Sequence, residues 1–308
     1  MVSTSQVLHR TGVTVFERGW LSSNNVLLRG VSGPTALVDS GYVSHADQTL
    51  ALLATELGAA PLDLLLNTHL HSDHCGGNAA LQTRYPHLST LIPPGHADAV
   101  AVWDSDALTY APTGQQCPRF HFEGLLQPGC EVLLGDWHWQ VHGAKGHDPH
   151  SIVLYQADNG ILISADALWQ NGFGVVFPEL EGISAFDEVE ETLELIEALK
   201  PCIVIPGHGP VFQDVADALK RARSRLERFR NAPDQHLRHA QKVLIKFKLL
   251  DWQTIERHAL LRWVLETPYI RRAMPPGGVE AGAAWLSTLL DELERSQALR
   301  QEGELIVN

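Results

Sequence analysis

Cysteine is scarce: the 308-residue chain has four, and Cys75, Cys117, Cys130 and Cys202 form neither a CxxC pair nor a zinc-finger spacing. That excludes a disulfide framework and fits reduced thiols in a cytoplasmic protein. No apolar run reaches the roughly 18 residues of a membrane span, so no transmembrane helix is expected. The opening MVSTSQVLHRTGVTVFERGW has no charged segment leading into an apolar one, so no signal peptide is expected either. Internal repeats and low-complexity tracts are missing. Positive charge is also short: 23 Lys and Arg against 36 Asp and Glu give a net charge of −13. The chain as a whole is therefore not steered to nucleic acid or anionic membrane. What remains, 44% apolar and 19% charged, is a soluble globular make-up able to bury a core without staples.

The charge that is present is uneven. Between Leu219 and Lys248 lie Lys220, Arg221, Arg223, Arg225, Arg228, Arg230, Arg238, Lys242, Lys246 and Lys248, against Glu227 and Asp234. Such a segment is either a solvated helix face beside an acidic body or a site for an anionic substrate or cofactor.

Short β-rich runs between Gly, Ser and Asn predict strands at Val13–Phe16, Asn25–Leu28 and Thr35–Asp39. Helical periodicity over Ser44–Leu57 stops at Gly58. Leu62–Asn67 reads as a continuous apolar strand, Asn78–Tyr85 as a helix and Thr90–Ile92 as a strand. Residues 103–125 carry no periodicity and read as a long loop, either a binding loop or a surface excursion. Strands return at Glu131–Leu134, Trp137–His142, Ser151–Gln156 and Ile161–Ser164, with a tight turn at Asn159-Gly160. A helix over Ala185–Lys200 is expected to be capped by Ser184, and Ile203–Ile205 is a further strand. After about Val211 strand signals vanish, and helices are expected at Val215–Arg230, Leu237–Leu249, Thr254–Leu265 and Ala283–Leu299, before a short terminal hairpin. The layout is an α/β body over residues 1–215 and a helical C-terminal region over 216–308.

The run His69-Leu-His-Ser-Asp-His74 directly follows the apolar strand. A strand end is rigid and the loop after it is accessible, which suits a preorganised site. His69, His71, Asp73 and His74 place four ligand-type side chains within six residues, and imidazole with carboxylate suits zinc, iron or manganese. His69 and His71 alternate, so both can point to one side. Asp73 and His74 follow where the chain turns and can reach a second position. Gly76-Gly77 is expected to permit that turn.

The HxHxDH pattern resembles the signature of the metallo-β-lactamase-fold hydrolases. The resemblance extends over about residues 13–212 and implies three further ligands at the ends of later strands. Gly146-His147-Asp-Pro-His-Ser151 resembles the family's loop carrying a metal histidine, Leu162-Ile-Ser-Ala-Asp166 its strand ending in a bridging aspartate, and Pro206-Gly-His208-Gly-Pro its last ligand histidine. Ala165 stands where glycine is usual, and Asp148 and His150 replace Thr and Gly. By resemblance, His69, His71 and His147 hold one metal, Asp73, His74 and His208 a second, and Asp166 bridges them. Asp73 and Asp166 are the candidate catalytic residues. The implied cofactors are two divalent metal ions, zinc first, with iron or manganese as alternatives.

The fold so implied is an αββα sandwich with the metals at one edge, followed by the helical, winged-helix-like C-terminal region. The activity implied is hydrolysis, with a water shared by the two metals as nucleophile. The bridging aspartate argues against a true β-lactamase and favours a hydroxyacylglutathione hydrolase (glyoxalase II)-like enzyme acting on a small ester or thioester. Lys145, His150, Phe173 and Phe177 are candidate substrate contacts. The other readings are a single-stranded-RNA endonuclease or a lactone hydrolase of the same fold, an iron-dependent oxidase or dioxygenase, and a non-enzymatic ligand-binding regulator. A small-molecule substrate is the expected partner, nucleic acid is the second choice, and no membrane partner is expected. His9, His45, His87, His96, His121, His138, His142, His236, His239 and His258 show no ligand spacing and are read as surface or packing residues. Cys75 is read as a small packed side chain.

Overall fold

A computed structural model of the chain describes residues 3–272 and 274–308. Six strands, β1 (Val13–Phe16), β2 (Asn25–Leu28), β3 (Ala36–Val38), β4 (Leu64–Leu66), β5 (Ser89–Ile92) and β6 (Gly124–Leu125), lie side by side in that order. The first three are antiparallel, and β3 through β6 are parallel. A second sheet has the order β11-β10-β9-β8-β7, from β7 (Glu131–Leu134), β8 (Trp137–Gly143), β9 (Ile152–Gln156), β10 (Ile161–Ala165) and β11 (Ile203–Pro206). Only its β10–β11 pair is parallel.

Strand periodicity explains the layering, because successive side chains point to opposite faces. Val26, Leu28, Val38 and Leu66 of the first sheet meet Trp139, Val141, Leu154, Ile163 and Ile205 of the second in one buried core. Their neighbours Leu27, Leu37 and Leu65 face outward onto Leu53 and Leu57 of helix Ala46–Leu57 and Leu81 of helix Asn78–Arg84. On the far side, Val153, Leu162 and Val204 face Val189, Leu193 and Ile196 of helix Phe186–Leu199. The result is the expected αββα sandwich. Helix Val215–Asn231 belongs to that outer layer by packing: Ala218, Leu219, Ala222, Leu226 and Phe229 complete the same cluster.

The C-terminal region builds its own core from Leu244, Leu260, Val264, Leu286, Leu289 and Ile306. Helix Pro233–Trp252 leads into β12 (Thr254–Glu256), then helices Arg257–Glu266, Pro268–Arg272 and Gly278–Arg295, then β13 (Arg300–Glu302) and β14 (Leu305–Val307). β14 lies between β12 and β13 in a three-stranded sheet. The expected helical C-terminal region is thus present, with a small sheet added to it.

Several local expectations need correction. Thr254–Glu256 is a strand, not the start of a helix, because Ile255 is buried and the segment pairs with β14. Ser184 does not cap helix Phe186–Leu199; the free amides of Ala185 and Phe186 donate to Glu179 Oε1 at 2.6 and 3.1 Å. Gly76 and Gly77 have ordinary φ values of −61° and −83°. Their need for glycine is close approach: a Cβ there would lie 2.5 Å from Ser72 O and 2.6 Å from Ser40 O, respectively. Residues 103–125 are not wholly irregular, since they contain the helical turn Tyr110–Thr113 and end in β6. Among the described residues, no helix is long and apolar enough to cross a membrane.

Candidate metal centre

The site is assembled where four strands end. The segment after β4 carries His69 and His71, and the short turn Ser72–Cys75 then presents Asp73 and His74. His147 lies on the β8–β9 connection, Asp166 follows β10, and His208 lies two residues after β11. The chain brings these seven residues into two adjoining groups, His69, His71 and His147, and Asp73, His74, Asp166 and His208, with one ligand atom from each within 4.8 Å of the others in its group.

In the first group, His71 Nδ1 lies 3.0 Å from His69 Nε2 and 2.9 Å from His147 Nε2, and the latter two are 3.3 Å apart. Their other ring nitrogens fix the tautomers. His147 Nδ1 donates to Val175 O at 2.5 Å, so in the neutral ring Nε2 keeps its lone pair. Thr68 Oγ1 donates to Asp39 Oδ2 at 2.8 Å and lies 3.2 Å from His69 Nδ1, which leaves His69 Nε2 as the acceptor nitrogen. Lone pairs aimed at one another repel unless a cation lies among them. Bonds of about 2.0–2.1 Å to a tetrahedral ion would hold such nitrogens roughly 3.3 Å apart, so the donor set fits a metal.

In the second group, His74 Nδ1 donates to Asp39 Oδ2 at 2.7 Å. Its buried Nε2 has no hydrogen-bond partner and lies 3.5 Å from Asp166 Oδ1 and 3.9 Å from Asp73 Oδ2. His208 Nε2 is 3.1 Å from Asp73 Oδ2 and 3.8 Å from Asp166 Oδ1. Asp166 turns its other oxygen, Oδ2, to His147 Nε2 at 3.4 Å, so one carboxylate faces both groups.

The electrostatics agree with that fit. Burial, reinforced by the neighbouring imidazoles, pushes His69 well below its ordinary pKa and His71 down to about 4, which keeps them in the neutral, metal-binding form. Burial also opposes charge on His74, but Asp39, Asp166 and Asp73 outweigh it and raise that histidine well above its ordinary value. Burial alone would raise Asp166, yet the rings of His208, His74 and His147 hold it well below the usual carboxylate range. The second group therefore calls for positive charge.

Backbone geometry supports this crowding. Ala165, just before Asp166, has φ +46°. That left-handed conformation explains why glycine is the usual residue there and makes alanine a strained choice. At Gly207 a Cβ would lie 2.2 Å from Asp166 Oδ1, so only glycine lets β11 approach the carboxylate this closely.

Above the ligands is a cavity of about 380 Å³, lined in part by Trp20, Trp169, Phe177, Val243, Leu244 and Phe247. Trp20 stacks on His208 with ring centroids 5.3 Å apart, and Trp169 meets the same ring edge-on at 5.5 Å. Phe177 packs on His71 at 4.7 Å. The long loop contributes Thr109, Thr113 and Gln115 to the wall, and Ser72 donates to Gln115 Oε1.

Of the four expected substrate contacts, Phe177 alone lines this cavity. Phe173 is 1% exposed and packs beneath Arg225 and against Phe229, so it belongs to the core. Lys145 is exposed, and its carbonyl accepts from Thr192. His150 is held away by its ring contact with His96, centroids 4.4 Å apart. His239, read as a packing residue, does line the cavity, where its Nε2 accepts from Arg225 at 2.7 Å. Asp39, Trp20 and Gln115 also escaped the sequence reading. Asp39 carried one signal, an acid at the end of an apolar strand.

Residues 18–208 match the family described as the metallo-beta-lactamase superfamily, and the chain belongs to it. It is similar to the acyl-coenzyme A thioesterase MBLAC2 of Gallus gallus, with 29% identity over 52% of this chain and 62% of that one. It is also similar to the hydroxyacylglutathione hydrolase of Xanthomonas axonopodis pv. citri, with 29% identity over 82% of this chain and 86% of that one. The chain spans less than two-thirds of the thioesterase's length and about half the length of several other curated relatives. Among solved structures, a beta-lactamase domain protein from Burkholderia ambifaria shares the fold, with a TM-score of 0.59, 22% identity, and coverage of 96% of this chain and 92% of that one.

Proposed function

We propose that this protein is a binuclear metal-dependent hydrolase of esters or thioesters, similar to hydroxyacylglutathione hydrolases. The observation that carries the reading is the seven-residue donor set, divided into two groups that share Asp166, at the floor of an apolar cavity. In this reading residues 1–215 form the catalytic part, and residues 216–308 supply one wall of the cavity. His69, His71 and His147 would hold one ion and Asp73, His74 and His208 the other, with the Asp166 carboxylate facing both groups.

Divalent ions bound there would supply Lewis acidity and would lower the pKa of a water toward neutrality. The protein's own contribution is preorganisation. Val175 O and Asp39 accept from Nδ1 of His147 and His74 and orient the two rings so that Nε2 of each faces the site. Trp20, Trp169 and Phe177 shield the floor from bulk water and leave an apolar space for an acyl group. Asp73 presents a carboxylate at the cavity floor, where it can accept a proton. Similarity to a thioesterase and to hydroxyacylglutathione hydrolases favours a thioester over a phosphodiester.

The test is turnover of S-lactoylglutathione and of an acyl thioester by freshly purified protein, with and without a chelator. Chelator-sensitive hydrolysis of either supports the reading. Metal-loaded protein that hydrolyses neither sinks it.

A further inference from the structure

The ten basic residues between Lys220 and Lys248 divide into two kinds. Arg221 pairs with Asp214 at 2.7 Å, Arg223 with Glu197 at 2.7 Å and Arg230 with Asp187 at 2.6 Å. Arg238 and Lys242 share Glu292, Lys248 pairs with Asp251, and Lys246 meets the Ala298 carbonyl and the Asn308 side chain. Among the described residues, Lys220, Arg225 and Arg228 have neither a carboxylate partner nor, like Lys246, a pair of neutral oxygens to occupy them. Those three belong to helix Val215–Asn231 and line one groove of about 840 Å³.

Arg225 joins the groove to the acyl cavity, because it lines both, as do Asn171 and His239. Its guanidinium lies over Phe173 and Phe229, 5.3 Å from each ring centroid, and donates to His239 Nε2. Gly172 lies so close that a Cβ there would come within 2.7 Å of Arg225 Nη1, and its φ of +127° suits glycine alone. A half-buried cation held by two rings and a neutral imidazole, with no counter-charge, is costly unless an anion completes it. Arg221 and Ser224 also line the groove, and Asp217 is its one acidic lining residue.

We propose that Lys220, Arg225 and Arg228 form a subsite for the phosphate groups of a phosphorylated thiol carrier, whose acyl end occupies the neighbouring cavity. The proposal rests on the thioester reading above. Three unpaired cations along a groove more than twice the volume of the acyl cavity match a polyanionic head group better than a single carboxylate. Arginine's planar fork suits phosphate oxygens in particular.

The test uses the metal-loaded full chain and two thioesters with the same acyl group, one on coenzyme A and one on pantetheine, which lacks phosphate. The wild type should prefer the coenzyme A thioester through KM. The Lys220→Gln/Arg228→Gln double variant, both positions being exposed, should lower that preference roughly tenfold. Arg223→Gln, at a paired position, should keep it. Free coenzyme A should bind the wild type in equilibrium dialysis and bind the double variant more weakly. An unchanged preference in the double variant would overturn the proposal. So would a single-stranded RNA oligomer that binds through Lys220 and Arg228 while free coenzyme A does not bind. If no thioester is turned over, the thioester reading fails, while dialysis of coenzyme A still decides the subsite.

Discussion

Around the His74 ring, Asp39, Asp166 and Asp73 approach to 2.7, 3.5 and 3.9 Å, so negative charge outnumbers positive. Along the groove of Lys220, Arg225 and Arg228 the imbalance is reversed, and these cations lack carboxylates. Elsewhere on the same helix, Arg223 and Arg230 have acidic partners, and within the groove Arg221 is held by Asp214. Charge left unbalanced beside an apolar cavity is expensive, so it persists where a ligand supplies the missing sign. The two regions thus call for opposite ligands, cations at the floor and an anion at the rim.

The strongest way to break this contrast is to remove a floor ligand. His71→Ala or Asp166→Ala should abolish metal binding and thioester turnover while circular dichroism shows the fold largely kept. Full activity in either variant after metal stripping would refute the assignment. Asp39→Asn should do less. It weakens the partner of His74 Nδ1, and competition with a chelator should show metal affinity about 10–100-fold lower. Salt sharpens the rim side: raising ionic strength should increase KM for a polyanionic thioester and leave an uncharged one nearly unaffected.

The rim also predicts a pH effect on stability. Burial first, then Arg225, pushes His236 down to about 4 and His239 down to about 3. Geometry agrees, because both rings accept hydrogen bonds at Nε2, from the Val176 amide and from Arg225. The unfolded chain binds these protons below about pH 6.5 and the native one does not, so stability falls as pH drops from there toward those folded values. His239→Gln should flatten that acid slope in denaturant titrations. The smallest effect concerns Ala165, at φ +46°. Ala165→Gly should stabilise the fold by about 0.5–1 kcal/mol, read as a shift in urea midpoint.

Sequence periodicity sufficed for most strands of the α/β body because each strand buries two faces or alternates them, and apolar runs such as Leu62–Asn67 show that directly; the sandwich itself came from the resemblance carried by the ligand motifs. His69–His74 was legible because its ligand types are contiguous. The cavity wall was not. Trp20, His239 and Phe247 come from distant segments and meet only through packing, while Lys145 and His150 lie near ligands in sequence yet turn away. Ile255 misled as part of a helical run because its strand partner, β14, lies some fifty residues onward.

Asp73 and His208 touch across 135 residues of chain, and His69 and His147 across 78. Contacts this remote carry the entropy of closing long loops and form after the local helices and hairpins. The ligand cluster closes when the two sheets dock, so the rate at which a refolding chain acquires tight metal binding is a clock for that docking step.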